Sequence, residues 1–164
     1  MFIKCYGLFW RRDEVDWTRG TGKTFRLLVR YGTNRPGIRI VDIREQTGIY
    51  ILYGNHGACY VGLTNTSMGK RLKDHLWDHL CNEWDRFSWF GFRKMLVRTD
   101  ENGLCEMGEM ANTSIGSPTE VITDVEALLI RAMGLMNIRK MNFTNAEEWT
   151  QIKNHEIDHH LAKL

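Results

Sequence analysis

Long hydrophobic runs are missing from this sequence. No stretch approaches the roughly 18 uninterrupted apolar residues that a membrane span requires. The segment from Met1 to Trp10 is too short, and the residues after it are too polar, for a secretory signal. These absences predict a cytoplasmic protein with no membrane partner. Proline is scarce, at two residues, while 43% of the chain is hydrophobic and 26% charged, a balance that argues against wholesale disorder. Closely spaced cysteines are also absent. Cys5, Cys59, Cys81 and Cys105 are far apart, with no CxxC pair, which speaks against a disulfide scaffold or a zinc knuckle. Nor does one sign of charge dominate: the formal net charge of +2 does not by itself imply a nucleic-acid partner. What remains is 164 residues, enough for one globular domain with a modest core.

The distribution of charge says more than its sum. Lys70, Arg71, Lys73, Arg86, Arg93, Lys94 and Arg98 fall in one central stretch, interleaved with Trp84, Phe87, Trp89, Phe90 and Phe92. Such a mixture either presents cations and aromatic surface to a phosphate backbone or forms an aromatic core with a solvated basic rim.

Residues 2–10, 25–30 and 38–41 carry the β-branched and aromatic content of strands. Two apolar runs, 49–53 and 59–63, are joined by Gly54-Asn55-His56-Gly57, a hairpin signal. From Ser67 the period changes to helical, with Met68, Leu72, Leu76 and Leu80 every fourth residue and Arg71 and His75 together on a neighbouring face. Residues 87–97 return to strand character, 100–103 read as a turn, and 104–117 as an irregular loop. Ser117-Pro118-Thr119-Glu120 combines a cap, a first-turn proline and a capping-box glutamate, predicting a helix that Gly134 ends. A second capping box at Asn145-Ala146-Glu147-Glu148 predicts a final helix through Trp149, Ile152, Ile157 and Leu161.

Two signals are weak. Residues 19–24 look like part of a phosphate-binding loop, but Trp17 stands where that loop needs glycine, and a polar turn is the simpler reading. His155, His159 and His160 lack the companions of a metal site. Glu126 is stronger. Flanked at helical spacing by Ile122, Leu129 and Ile130, it points toward or beside an apolar stripe, where a carboxylate needs an arginine such as Arg71 or Arg131, or a metal.

Taken in order, Gly48-Ile49-Tyr50, Tyr60-Val61-Gly62, Arg71-Leu72 with His75, and Glu126 in Glu-Ala-Leu-Leu-Ile resemble the GIY-YIG nuclease superfamily over roughly residues 47–142. The resemblance implies an α+β fold, a small antiparallel sheet flanked by helices. It makes residues 47–164 the nuclease domain, with a C-terminal helix, and 1–46 a β-rich N-terminal extension packed on it. It also implies an endonuclease that hydrolyses phosphodiester bonds with one Mg²⁺ or Mn²⁺ per active site. DNA is the expected substrate, RNA stays open beside it, and a homodimer would let one site per chain cut both strands.

Residue by residue, Tyr50 resembles the family's general base, Tyr60 the second motif tyrosine, and Arg71 the arginine on the scissile phosphate, with Lys70 a competing position. His75 resembles a relay or phosphate contact, Glu126 the metal ligand, and Asn142 the family asparagine, with Asn137 its alternative. Leu63 stands where the family often carries lysine. Lys70, Lys73, His79, Arg93 and Lys94 are the further candidates for nucleic-acid contact.

Overall fold

The computed structural model describes residues 2–18, 25–34, 36–110, 117–134, 143 and 145–164. The polar turn read at 19–24, the stretch 111–116 of the expected loop, and both Asn137 and Asn142 lie outside them.

Ten strands and three α-helices are arranged in chain order among the described residues. They are β1 (Cys5–Arg11), β2 (Leu28–Tyr31), β3 (Arg39–Asp42), β4 (Gly48–Gly54), β5 (Gly57–Thr64), α1 (Met68–Asp74), β6 (Arg86–Gly91), β7 (Met95–Thr99), β8 (Cys105–Met107), α2 (Pro118–Met133), β9 (Glu147–Glu148), β10 (Thr150–Gln151) and α3 (Ile157–Leu161). The class is mixed α and β, as expected. The main sheet has the order β5-β4-β6-β1-β9, antiparallel except where β1 meets β9. Strand β1, from the N-terminal part of the chain, thus sits inside the main sheet beside β6. Strands β10-β2-β3 form a second sheet, and β7-β8 a two-stranded ribbon.

Alternation along β4 decides what packs where. Tyr50 and Leu52 enter one apolar cluster with Met68 and Leu72 of α1 and with Phe87 and Trp89 of β6. Ile51 and Tyr53 enter another, with Phe90 and with Ala127 and Ala132 of α2. The Tyr53 hydroxyl donates to the Ala132 carbonyl at 2.7 Å, fixing α2 to that side. Helices α1 and α2 therefore cover opposite faces of the sheet.

Local chemistry explains the elements that frame the site. Gly48 has φ of 150°, and a Cβ there would overlap the Phe90 carbonyl of β6, so the first glycine of the motif allows close strand approach. The β4–β5 hairpin closes at Gly54 opposite Gly57. Ser67 caps α1 by accepting the Lys70 amide, and the carbonyl of the fully buried Gln46 accepts the Met68 amide, tying the start of α1 to the segment that leads into β4. The first capping box forms as expected, with Ser117 and Glu120 satisfying each other's amides and Gly134 ending α2 in the left-handed region.

Three expectations fail. Helix α1 ends at Asp74 rather than continuing to Leu80, and turns carry the chain to Glu83; Leu80 nonetheless stays buried. Part of the 104–117 loop is strand β8, paired with β7. The second capping box does not open a helix, because Glu147 and Glu148 pair in parallel with Cys5 and Tyr6, and Thr150 and Gln151 pair with β2. Tertiary strand pairing outweighs the local signal. What remains of the final helix is α3, after a single 3₁₀ turn at Asn154–Glu156.

Candidate active site

Strands β4 and β5 and the end of α1 bring four of the expected residues together. Tyr50 lies opposite Gly62, and Tyr60 opposite Leu52, so both tyrosines project to the α1 face of the sheet. Gly62 makes room for this: a Cβ there would overlap the ring and hydroxyl of Tyr50. The second glycine of the motif is thus a steric requirement of the first tyrosine.

His75 closes α1 as its C-terminal cap, with its amide bonded to the Arg71 carbonyl. Its ring turns into the sheet, and only 4% of the residue is exposed. Nε2 lies 2.8 Å from the Tyr50 hydroxyl. The Tyr60 ring meets the His75 ring edge-on at 5.0 Å and the Tyr50 ring at 6.1 Å. The other imidazole nitrogen, Nδ1, is 2.6 Å from Asp78 Oδ2, while Asp78 Oδ1 accepts the Leu80 amide at 2.8 Å. The result is a chain of side chains, Asp78–His75–Tyr50, with Tyr60 against it.

The electrostatics of this chain are asymmetric. Burial, reinforced by Tyr60 and opposed by the Arg71 guanidinium, pushes Tyr50 up to about 12. At neutral pH Tyr50 is therefore a neutral phenol with a proton available to the hydrogen bond, whose direction follows the tautomer of His75. Desolvation works against ionisation of Asp78, but the Leu80 amide and His75 outweigh it and hold the carboxyl below its ordinary range. An ionised Asp78 at Nδ1, a bare Nε2 and a donating Tyr50 are mutually consistent. Arg71 itself is exposed on the rim, beside Tyr50 and Tyr60, where it can meet an incoming anion.

Two features brace the turn that carries Asp78. The Trp84 indole donates to the His75 carbonyl at 3.2 Å. Arg12, from the N-terminal part of the chain, donates to the Cys81 carbonyl at 2.6 Å and lies 4.9 Å from the Trp84 ring centroid.

The structure does not bring Glu126 to this cluster. Glu126 is exposed on α2, the helix that covers the opposite face of the sheet. Of the three apolar residues thought to mark a buried stripe, Ile122 and Leu129 are outside, 67% and 51% exposed, and Ile130 alone is buried. The face that α2 buries consists of Asp124, Ala127, Ile130, Arg131 and Ala132. Its buried carboxylate is Asp124, which accepts the Phe2 and Ile3 amides at 2.7 and 3.4 Å. As placed, Glu126 does not fit a metal at Tyr50. Among the described residues no group of three or more His, Cys, Asp or Glu side chains converges on one point that could hold an ion.

The basic candidates divide. Lys70 and Lys73 line a cleft of about 440 Å³ beside α1, with Phe25, Arg44, Glu45, Ser67 and Asp74; the Lys73 ammonium lies 4.6 Å from the Phe25 ring centroid. His79 and Lys94 are exposed. Arg93, by contrast, is engaged by its own fold: Nε donates to Gly108, and the terminal nitrogens to Glu45 and Met107, all backbone carbonyls at 2.7–3.5 Å. Its contribution is to fasten β8 to the turn before β4.

Asp78 is the residue that sequence reasoning missed. It stands three positions after His75, a spacing that places two side chains together on a helical path, and that was the available signal. Comparison with models of protein families, with curated proteins and with solved structures found no match to this chain.

Proposed function

We propose that this chain is a nuclease of the GIY-YIG kind, which cleaves phosphodiester bonds in nucleic acid, DNA foremost, at the cluster of Tyr50, Tyr60, Arg71 and His75. The observation that carries the reading is the 2.8 Å contact between the Tyr50 hydroxyl and His75 Nε2, beside an exposed arginine. Hydrolysis of a phosphodiester needs a route for the proton of the attacking water and a cation for the phosphate. Tyr50 is too weakly acidic to wait as a phenolate, so it acts in relay. It takes the proton of the water as it gives its own to Nε2, and never carries full charge. Arg71 offers a planar, two-pronged donor to the phosphate oxygens. Tyr60, half-buried beside the fully buried Tyr50, is the more accessible of the two phenols and the one an approaching water meets first.

The resemblance brings with it one Mg²⁺ or Mn²⁺ held by a single carboxylate. Because Glu126 faces away from the cluster, no step is assigned to an ion. The same position of Glu126 favours a second reading, a nucleic-acid-binding module that keeps the scaffold without the reaction. Plasmid nicking with Mg²⁺, with Mn²⁺ and with EDTA separates the two. Cutting by the native chain that disappears in Arg71→Ala supports the nuclease. Retention of plasmid with no cutting under any of the three conditions selects the binding module.

A further inference from the structure

We propose that Asp78 is a positioning residue that fixes the tautomer of His75, keeping the proton on Nδ1 so that Nε2 is free to receive the Tyr50 proton. The catalytic part of this inference rests on the nuclease reading; the tautomer does not.

His75 is enclosed, and its two ring nitrogens have one side-chain partner each, Asp78 Oδ2 on Nδ1 and Tyr50 on Nε2. An ionised carboxylate has no proton to give, so Nδ1 must be the donor. In a neutral ring Nε2 is then an acceptor, and the proton within its reach is the phenol's. Among the described residues the charged and titratable groups around the ring are Tyr50 from β4, Tyr60 from β5, Arg71 from α1, and Asp78 and His79 from the turn after it.

Asp78 is held in place independently of His75, because its second oxygen accepts the Leu80 amide at 2.8 Å. That second bond makes the test sharp. In Asp78→Asn the side-chain oxygen keeps the Leu80 amide, and the NH₂ group then faces Nδ1. A donor facing Nδ1 turns that nitrogen into an acceptor and moves the ring proton to Nε2. His75 would then donate to Tyr50 and could no longer relieve it of a proton. The orientation of the ring is unchanged, but the relay runs the wrong way.

Long-range ¹H–¹⁵N correlation NMR reads the tautomer directly, with the His75 signals identified by their loss in His75→Gln. The native chain should show a protonated Nδ1 and a bare Nε2 near neutral pH, and Asp78→Asn should show the reverse. A native ring protonated on Nε2, or a tautomer unchanged in Asp78→Asn, overturns the inference, whatever the cutting assay gives. In plasmid nicking, Asp78→Asn should lose about 10²–10⁴-fold in rate, the span of a general acid–base contribution. An unchanged rate together with an inverted tautomer also overturns it. If the native chain does not cut, the nuclease reading falls, and the tautomer pair alone decides the role of Asp78.

Discussion

Adding one methyl group at Gly62 should displace Tyr50 and disable the site without removing any group that does chemistry. A Cβ at that position would overlap both the ring and the hydroxyl of Tyr50, and Tyr50 is fully buried between the sheet and α1, so it has no free space to retreat into. Gly62 is not among the glycines with left-handed backbone, so the cost of Gly62→Ala is steric and not conformational. Overpacking of this kind costs about 1–3 kcal/mol. For a chain of this size each kcal/mol moves the melting temperature by about 2–4 °C, so a fall of about 2–12 °C is expected. A double-mutant cycle measured by urea denaturation isolates the cause. With Tyr50→Leu in place the obstructing ring is gone, and Gly62→Ala should then cost less than about 0.5 kcal/mol, giving a coupling of about 0.5–3 kcal/mol between the two sites. Equal cost in both backgrounds would refute the claim that Gly62 exists to accommodate Tyr50.

Other perturbations draw on the same geometry. Tyr50→Phe should lower nicking by about 10²–10⁴-fold, and because it strands the buried His75 Nε2 it should also cost about 1–3 kcal/mol of stability. The folded value of Tyr50 lies above that of a free tyrosine, so its contribution to stability is complete below pH about 10 and is lost as pH rises through about 12. Alkaline denaturation monitored by circular dichroism should accordingly be shallower in Tyr50→Phe than in the native chain. Arg93→Ala should cost about 1–3 kcal/mol through the carbonyls it abandons, while leaving the salt dependence of nucleic-acid binding unchanged; a reduced salt slope would instead make Arg93 a phosphate contact. Glu126→Ala, at an exposed position on α2, should fold normally and cut at the native rate. Loss of Mg²⁺-supported cutting with the fold intact would restore Glu126 as a metal ligand.

What the sequence revealed and what it concealed divide along physical lines. Signals that act within a few residues were legible: the hairpin closed by Gly54 and Gly57, the helical period that begins at Ser67, and the Ser117–Glu120 capping box. The spacing of Arg71 and His75 placed those two on one helical face, and the resemblance to the nuclease family implied that they meet Tyr50 and Tyr60. The orientation of α2 was not legible. Large apolar residues at Ile122 and Leu129 suggested the inward face, yet the buried face is built from alanines, Ile130, Arg131 and an Asp124 whose carboxylate accepts the amides of Phe2 and Ile3. Those partners lie over a hundred residues away in sequence, beyond the reach of periodicity. Glu147 and Glu148 misled for the same reason, since a local capping pattern carries no information about a strand waiting at Cys5 and Tyr6. Asp78 falls between these cases, three residues from His75 yet meaningful only once the turn after α1 is known.

The central claim is that the hydrogen-bonded pair of Tyr50 and His75, beside Arg71, is a phosphodiester-cleaving centre. Nicking of supercoiled plasmid by the native chain, by Tyr50→Phe, by His75→Ala and by Arg71→Ala, each purified identically and shown to be folded, tests it most directly. The native chain should cut, and each variant should lose at least about 10²-fold in rate. Native cutting that survives in all three variants would contradict it.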